Sequence, residues 1–280
     1  ARVAELAVGL GARLAAGAAS VRSRVVHLPL AFGDRWTAAE LTRYARSVRA
    51  TAPYLPSNVE FVRRINGLPS VDAVREVLTS AEYLVLGLGD VYLGAPCAVP
   101  VDPRHRLVTS KFNPARTHTP EGAVGIGGAY MCIYGTESPG GYQLVGRTLP
   151  IWDTYGRVPE AARGAPAGVP WLLRFFDRVK LYPVSDAELV DARRRYARGD
   201  LPLRIEDGPG AVFSYADHAR FLKAQAPSIA AFVGKQRAAY EAEATRWAAE
   251  GEGANNDAGA AATTRGTPAT FAAPTSVPAA

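Results

Sequence analysis

The amino-acid sequence predicts an α+β protein in which a strand-rich middle lies between two helical regions. Hydrophobic residues recur at spacings of three and four before residue 80 and again after residue 185, which is the period of an amphipathic helix. Between these regions, short apolar runs are separated by Gly and Pro turns, a pattern typical of a compact β-barrel. We therefore expect a small N-terminal α+β domain (residues 1–80), a barrel (81–184), a helical extension (185–250) and a disordered tail (251–280).

The N-terminal region is expected to consist mainly of helices. Residues 1–18 have the pattern of an amphipathic helix, with a mitochondrial transit peptide as the alternative interpretation. An extended segment, residues 24–30, follows. Thr37 and Glu40 have the spacing of a capping box, in which the hydroxyl and the carboxylate satisfy free backbone N–H groups at a helix start. Two more helices are expected to begin at Ser57 and Ser70.

The middle region is rich in glycine and in short apolar runs. Strands are expected within residues 83–88, 97–101, 123–134, 142–150 and 172–182. The glycine cluster at residues 125–130 is superficially similar to a dinucleotide-binding motif, but it opens no helix whose N-terminus would hold a phosphate. Glycines inside a strand indicate a bulge or a close approach of a ligand to the backbone.

After residue 184 the sequence returns to a helical pattern. Helices are expected to begin at Ser185 and Ser214, and a longer helix is expected over residues 228–249. Beyond Gly251 the chain consists mostly of Ala, Thr, Gly and Pro with almost no charge, a composition typical of disorder.

Composition excludes several classes of protein. The chain has 2 Cys, too few for a disulfide scaffold, and Cys97 and Cys132 lack the paired spacing of a zinc site. No run of about 18 apolar residues exists, so we expect no membrane span. The net charge of +6 comes from scattered arginines, whereas nucleic-acid-binding proteins concentrate basic residues on one face, so we expect no nucleic-acid partner. The 4 His are too far apart in sequence to predict a metal site.

One loop collects side chains suited to a small polar or anionic substrate. Residues 110–117 contain Lys111, Asn113 and Arg116 together with hydroxyl groups, which offer charge and directional hydrogen bonds. The later segment 137–143 has the composition of a tight turn between two strands. Neither a P-loop nor a Gly-x-Ser-x-Gly motif is present in the sequence.

Five segments of the middle region combine into a specific pattern: residues 89–96, 102–106, 110–117, 124–135 and 137–148. Together with residues 52–61 and the helical stretch 236–247, they resemble the carboxyltransferase region of biotin-dependent urea carboxylases. That region belongs to the wider allophanate hydrolase subunit 1 (KipI-like) family. The resemblance extends over about residues 20–250.

The resemblance implies a cyclophilin-like β-barrel after a smaller α+β domain. It also implies a second module of the KipA-like (allophanate hydrolase subunit 2) type, which completes the carboxyltransferase site. Carboxybiotin is delivered by a biotin carrier domain after ATP-driven charging at a separate domain. Its carboxyl group then passes to urea, giving allophanate, and the expected location is the cytoplasm.

Site roles follow from the positions of the motifs. Lys111 or Arg116 would hold the transferring carboxylate or polarise the biotin ureido oxygen as negative charge develops there. Asn113 and the backbone of neighbouring glycines would meet the donors and the acceptor of urea, and Glu137 would accept a urea proton or anchor its turn. The expected substrate-binding residues are Gly127, Gly128, Tyr130, Ser138, Gly140, Gly141, Tyr142 and Gln143.

Two alternative functions share this fold. One is a KipI-like component of an ATP-dependent 5-oxoprolinase-type enzyme, and the other is a KipI-like binding protein that regulates a kinase. The variants of the sequence at residues 111–114 and 129–132, together with the helical extension, favour urea carboxylase. The first residue is Ala1, and Met131 is followed by Cys132 rather than by the Lys of a biotin attachment site. We therefore expect a fragment of a longer multidomain enzyme, with a truncated N-terminal domain, that contributes half of one active site.

Overall fold

Ten strands and seven α-helices lie along the part of the chain that the computed structural model describes, residues 20–89, 93–165 and 168–249. The strands are β1 (Ser20–Arg22), β2 (Val25–Phe32), β3 (Glu82–Leu88), β4 (Pro96–Pro100), β5 (Ala123–Gly127), β6 (Tyr130–Ile133), β7 (Gln143–Arg147), β8 (Arg178–Val184), β9 (Ile205–Glu206) and β10 (Val212–Ser214). The helices are α1 (Arg35–Ser47), α2 (Asn58–Ile65), α3 (Val71–Ser80), α4 (Glu160–Arg163), α5 (Asp186–Arg198), α6 (Tyr215–Ala224) and α7 (Ala226–Ala249). The predicted helix at residues 1–18, the predicted tail at 251–280 and residues 90–92 of the first resemblance segment lie outside the described residues.

Seven of the strands close into a barrel. The strands are hydrogen-bonded in the order β7-β5-β6-β4-β3-β8-β2, and β2 pairs back with β7, while β9 extends the sheet beside β2. Inward-pointing side chains such as Leu28, Val85, Ile126 and Leu181 fill the interior together with residues of α2 and α3. The predicted α+β class with a central barrel and C-terminal helices is confirmed.

The strand that closes the barrel comes from the N-terminal region. β2 runs parallel to β8 over seven paired positions, from Val25 opposite Arg178 to Ala31 opposite Val184. It also pairs antiparallel with β7, where Ala31 lies opposite Arg147. The division of the chain at residues 80 and 184 stays a prediction, and the barrel draws one of its strands from residues before 80.

Side-chain caps start most of the helices where the sequence predicted them. The hydroxyls of Ser57, Ser70, Ser185 and Ser214 each accept a hydrogen bond from the backbone N–H three residues later, and Glu188 completes a capping box with Ser185. These contacts satisfy backbone donors that have no partner within the helix.

The predicted start of α1 at Thr37 is wrong. The N-cap is Asp34, whose carboxylate accepts hydrogen bonds from the N–H groups of Trp36 (3.0 Å) and Thr37 (3.1 Å). The Thr37 hydroxyl is buried and donates to Asp34 Oδ2 (2.7 Å). A carboxylate that lies ahead of the Thr therefore captures the first free N–H groups, and the helix begins at Arg35.

The predicted strand region at residues 123–134 is a hairpin. β5 and β6 pair from Val124 opposite Ile133 to Gly127 opposite Tyr130, which leaves Gly128 and Ala129 as a two-residue turn. Gly128 has φ +61°, a conformation that such turns require and that glycine adopts without strain.

The C-terminal helix α7 packs against the N-terminal helices. Its buried side chains are Gln236, Glu243 and Trp247. The Trp247 ring lies 5.4 Å from the Phe61 ring of α2, measured between centroids. Phe61 belongs to a buried aromatic cluster that also contains Phe112 of the polar loop, so the helical extension supports the loop from behind. In the described part of the chain, no helix has the length and apolar character needed to cross a membrane.

Candidate functional site

Three segments meet on the outer face of β5, β6 and β7: the loop at residues 109–119, the hairpin turn at 127–130 and the segment at 137–143. The Thr109 N–H donates to the Gly128 carbonyl (2.9 Å). Arg116 and Gly140 exchange two backbone hydrogen bonds of 2.8 and 3.0 Å. Two isolated β-bridges therefore fix the loop across the glycine-rich strands.

Tyr142 covers the glycine strand, and Lys111 lies above Tyr142. A Cβ atom at Gly127 would lie 2.2 Å from Tyr142 Cδ1, so glycine allows the ring to rest on the backbone of β5. The Lys111 ammonium lies 5.4 Å from the centre of the Tyr142 ring, within cation–π range. Lys111 is exposed, and a Cβ at neighbouring Gly141 would make only ordinary contacts at 3.7 Å. An accessible cation thus stands on an aromatic platform.

Arg116 is 2% exposed and faces the interior of the loop. Its Nη1 donates to the Tyr142 carbonyl (2.6 Å), and its Nη2 donates to Thr119 Oγ1 (3.2 Å) and Tyr134 Oη (3.4 Å). The guanidinium carbon lies 4.4 Å from the centre of the Phe112 ring. Burial lowers the pKa of Arg116. The geometry makes Arg116 a cross-link of the loop, with its charge held below the surface.

The second glycine pair fits closely against the loop. A Cβ at Gly140 would lie 2.3 Å from the Tyr134 hydroxyl oxygen, so no larger residue fits there without a shift. The Gly141 carbonyl accepts a hydrogen bond from the Phe112 N–H (2.7 Å). These glycines let two stretches of backbone approach each other at the edge of the site.

Gln143 ties the start of β7 to the loop. Its side chain is fully buried, and its Nε2 donates to the Ser110 carbonyl (3.0 Å). Among the described residues, neither Gln143 Oε1 nor the Ser110 hydroxyl has a hydrogen-bond partner. Buried polar atoms of this kind are costly unless they are satisfied, so this pair is a polar spot directly beneath the loop.

Asn113 lies on the side of the loop that faces α1. Its backbone N–H donates to Tyr54 Oη (3.0 Å), and its carbonyl accepts from Arg49 Nη1 (2.7 Å). The next peptide bond, Asn113–Pro114, is cis, and the Pro114 carbonyl accepts from Tyr44 Oη (2.8 Å). Burial and the hydrogen bond with Tyr54 raise the pKa of Tyr44. Two tyrosines thus hold the backbone of the loop while the Asn113 side chain stays exposed.

Glu137 lies next to a histidine. Its side chain is 69% exposed, and its Oε2 lies 3.7 Å from His118 Nε2. His118 Nδ1 lies 2.9 Å from Glu40 Oε1 of α1, which is within ion-pair distance. The two groups do not have the geometry of a hydrogen bond. The turn itself is held by the Ser138 N–H, which donates to the Thr119 carbonyl (3.3 Å).

The structure brings most of the predicted site residues together around one loop and places Asn113 and Glu137 at its edges. Around the loop it gathers Lys111, Arg116, Gly127, Gly128, Gly140, Gly141, Tyr142 and Gln143. Tyr130, 38% exposed, lies opposite Gly127 at the hairpin. Asn113 is placed beside Tyr54, and Glu137 beside His118. Among the described residues, no group of three or more His, Cys, Asp or Glu could hold a metal ion.

Sequence reasoning missed the aromatic support of the loop. Tyr44, Tyr54 and Phe112 form it, with Phe112 and Tyr54 ring centroids 4.1 Å apart. Tyr54 lies in the segment 52–61, one of the segments that carried the family resemblance, which was the available signal.

The chain is similar to several known proteins. The family model described as carboxyltransferase domain, subdomain C and D, matches residues 2–162. The urea amidolyase of Saccharomyces cerevisiae is 48% identical over 212 residues, which cover 76% of this chain and 11% of the yeast protein. A 5-oxoprolinase component of Bacillus subtilis is 28% identical over 172 residues, which cover 60% of this chain and 56% of that protein.

The fold has a solved counterpart. The crystal structure of the Kluyveromyces lactis urea carboxylase matches with a TM-score of 0.70 and 40% sequence identity. The match covers 79% of this chain and 20% of that chain. The chain thus spans about a tenth to a fifth of the length of these yeast proteins.

Proposed function

The chain belongs to the family of carboxyltransferase domains with subdomains C and D, and from this premise we propose that it forms one half of the carboxyltransferase site of a biotin-dependent urea carboxylase. The reaction moves a carboxyl group from carboxybiotin to a nitrogen of urea and gives allophanate. We choose urea as the substrate because the chain is 48% identical to a urea amidolyase but only 28% identical to a 5-oxoprolinase component. The 5-oxoprolinase and kinase-regulator alternatives are therefore not favoured.

Lys111 supports the handling of a carboxyl group. Its ammonium is exposed, and no ion pair of Lys111 exists among the described residues, so its charge is available to a ligand. Bound carboxybiotin supplies an activated carboxyl group. Lys111 would hold that carboxylate or neutralise the negative charge that develops on the biotin ureido oxygen. The donor set on this face of the loop therefore fits the group.

Buried Arg116 strengthens the same preference for negative charge. Its guanidinium touches the Tyr142 carbonyl and so lies directly below the platform that carries Lys111. A cation in a poorly solvated position acts over a longer distance than one in water. Arg116 would therefore favour an anion at the surface without contacting it.

Urea needs hydrogen-bond acceptors for its N–H groups and a donor for its carbonyl. We assign these contacts to the Asn113 amide and the Tyr130 hydroxyl, which belong to exposed residues at the edges of the loop, and to the backbone of Gly141. The urea nitrogen loses a proton as its new bond to carbon forms. Glu137 would accept that proton, because its carboxylate is exposed, while backbone contacts of Ser138 and Gly140 anchor the turn.

The proposal includes further parts outside this half-site. A KipA-like module would supply the second half, a biotin carrier domain would bring the carboxybiotin, and ATP would be used at a separate domain. We place the reaction in the cytoplasm.

A chimera tests the proposal. The chain would replace the matching segment of the K. lactis urea carboxylase, and allophanate formation would be measured with and without urea, alongside carboxylation of biotin. We expect urea-dependent allophanate at a rate within about tenfold of the parent enzyme. A chimera that carboxylates biotin normally but forms no allophanate would contradict the proposal, and turnover of 5-oxoproline would favour the alternative.

A further inference from the structure

The two cysteines lie opposite each other across a pair of barrel strands. β4 and β6 are antiparallel, with Ala98 opposite Met131. The antiparallel register therefore places Cys97, one residue earlier, opposite Cys132, one residue later. Opposite residues of an antiparallel pair have Cα atoms about 4.5–5.5 Å apart, which is within the range of disulfides.

Both thiols point away from the barrel core. Ala98 and Met131 are 0% and 1% exposed and belong to the interior cluster, and successive side chains of a strand point to opposite faces. Cys97 and Cys132 therefore share the outer face. Cys97 is exposed, whereas Cys132 is 7% exposed.

Glycines flank the pair on both sides. Gly87 of β3 lies opposite Cys97, and among the described residues a Cβ there would meet nothing within 4 Å, which is consistent with the exposure of Cys97. Gly125 of β5 lies opposite Cys132, and a Cβ there would lie 3.0 Å from Tyr142 Cβ. The pair thus has solvent on one side and the candidate site on the other.

We propose that Cys97 and Cys132 form a reversible disulfide on the outer face of the barrel, by exchange with a small disulfide such as oxidised glutathione. The Cys97 thiolate attacks one sulfur of that disulfide, which forms a mixed disulfide and releases one small thiol. The Cys132 thiolate then attacks the Cys97 sulfur, closes the protein disulfide and releases the second small thiol. The two protons of the protein thiols end on the two released thiols, and the small disulfide is the oxidant.

Exposure sets the order of attack. Burial raises the pKa of Cys97 and raises that of Cys132 to about 12, so both thiolates are minor species at neutral pH. Exchange is therefore slow, and it begins at Cys97 because a small disulfide can reach that sulfur. The raised pKa of Cys132 makes the closing step the slower one.

The disulfide would reinforce a sparsely paired seam of the barrel. β4 and β6 share one paired position, Ala98 with Met131, whereas β2 and β8 share seven. The bond would close a loop of roughly 35 residues and remove conformational freedom from the unfolded chain. It would also fix β6 beside Gly125, on which the Tyr142 platform rests. The inference does not depend on the proposed function.

Mass spectrometry of the intact 280-residue chain tests the proposal. The reduced chain is incubated with oxidised glutathione at about pH 8.5, where more thiolate is present, and samples are quenched in acid. We expect a transient adduct of one glutathione, followed by a chain that is lighter than the reduced form by two hydrogens. Dithiothreitol should restore the reduced mass, and the oxidised chain should melt about 5 °C higher.

Two matched variants locate the steps. Cys132→Ser should keep one glutathione on Cys97, and Cys97→Ser should stay unmodified until denaturant exposes Cys132. A wild-type chain that stops at the glutathione adduct would overturn the proposal, because the thiols would then be too far apart. Reaction of Cys97→Ser at the wild-type rate, or failure of the native wild-type chain to react, would overturn it as well.

Discussion

Two buried arginines stabilise opposite parts of the molecule in different ways. Arg24, beside the start of β2, is 3% exposed and forms a two-point ion pair with Asp177, through Nε (2.9 Å) and Nη2 (2.5 Å). Arg116, in the candidate site, is 2% exposed, and no carboxylate among the described residues lies within ion-pair distance of it. It contacts a carbonyl, two hydroxyls and an aromatic ring instead.

The comparison distinguishes an arginine whose charge only stabilises the fold from an arginine whose charge also acts at the nearby surface. The charge of Arg24 is cancelled by its partner, so the pair acts on the fold alone. Arg116 has no carboxylate at ion-pair distance and interacts only with the more distant charge of Glu40, so part of its field extends to the surface where Lys111 lies. Burial of an unpaired cation costs free energy, but in a site that binds carboxylates the same positive charge would stabilise the bound anion.

The largest loss of stability is expected when the paired arginine, Arg24, is replaced. Arg24→Met leaves the Asp177 carboxylate buried without a cation, and the free energy of unfolding should fall by about 3–5 kcal/mol. Chemical denaturation of the chain measures it. The double variant Arg24→Met with Asp177→Leu should recover part of the loss. A loss below about 1 kcal/mol for the single variant would show that the pair is not a structural centre.

A smaller loss of stability is expected at the unpaired arginine. Arg116→Met leaves no carboxylate buried without a cation, but it removes hydrogen-bond donors from the Tyr142 carbonyl and from Thr119. The free energy of unfolding should therefore fall by about 1–3 kcal/mol. The same denaturation experiment compares it with Arg24→Met. An equal or larger loss at Arg116 would contradict the distinction between the two arginines.

The pH dependence of a paired acid extends the comparison. Burial alone would raise the pKa of Glu243, but the Arg246 hydrogen bond and the charges of Arg64 and Arg246 outweigh it and lower that pKa below 4.5. Ionised Glu243 therefore stabilises the fold above its unfolded pKa, and this contribution disappears as the pH falls through the lower folded pKa.

The measurement compares wild type with Glu243→Gln across the pH range. At pH 7 the variant should be less stable by about 1–2 kcal/mol, and the difference should shrink as the pH falls below the ordinary pKa of Glu and through the lower folded pKa of Glu243. A difference that stays constant down to pH 3 would mean that the charge of Glu243 contributes nothing.

The smallest effect on stability is expected at Lys111. Its side chain is exposed, so Lys111→Ala should change the free energy of unfolding by less than about 0.5 kcal/mol. A larger loss would assign Lys111 to the fold, as Arg24 is assigned, and would remove the reason to place it in the site.

Local rules predicted much of the fold from the sequence. The helix starts at Ser57, Ser70 and Ser185 depend on contacts within four residues, which the sequence displays. The predicted helix start at Thr37 is wrong because Asp34, three residues earlier, is a competing N-cap residue. Closure of the barrel by β2 could not be predicted, because its parallel partner β8 lies about 150 residues further along the chain.

The chemistry of the candidate site was visible, but its arrangement was not. Lys111 and Arg116 have the same charge and lie five residues apart, and only the packing of Phe112 and Tyr134 decides that one is exposed and the other buried. The tyrosines that hold the backbone at Asn113 and Pro114 come from α1 and from the segment before α2, so no local pattern links them to the loop.

The most direct test of the central claim uses the K. lactis chimera with Lys111 intact and with Lys111→Ala. Allophanate formation is measured beside biotin carboxylation, which the substitution should leave unchanged. We expect urea-dependent allophanate from the first chimera and a rate about 100-fold lower from the second. Equal rates of allophanate formation in the two chimeras would contradict the placement of the carboxyl group at Lys111.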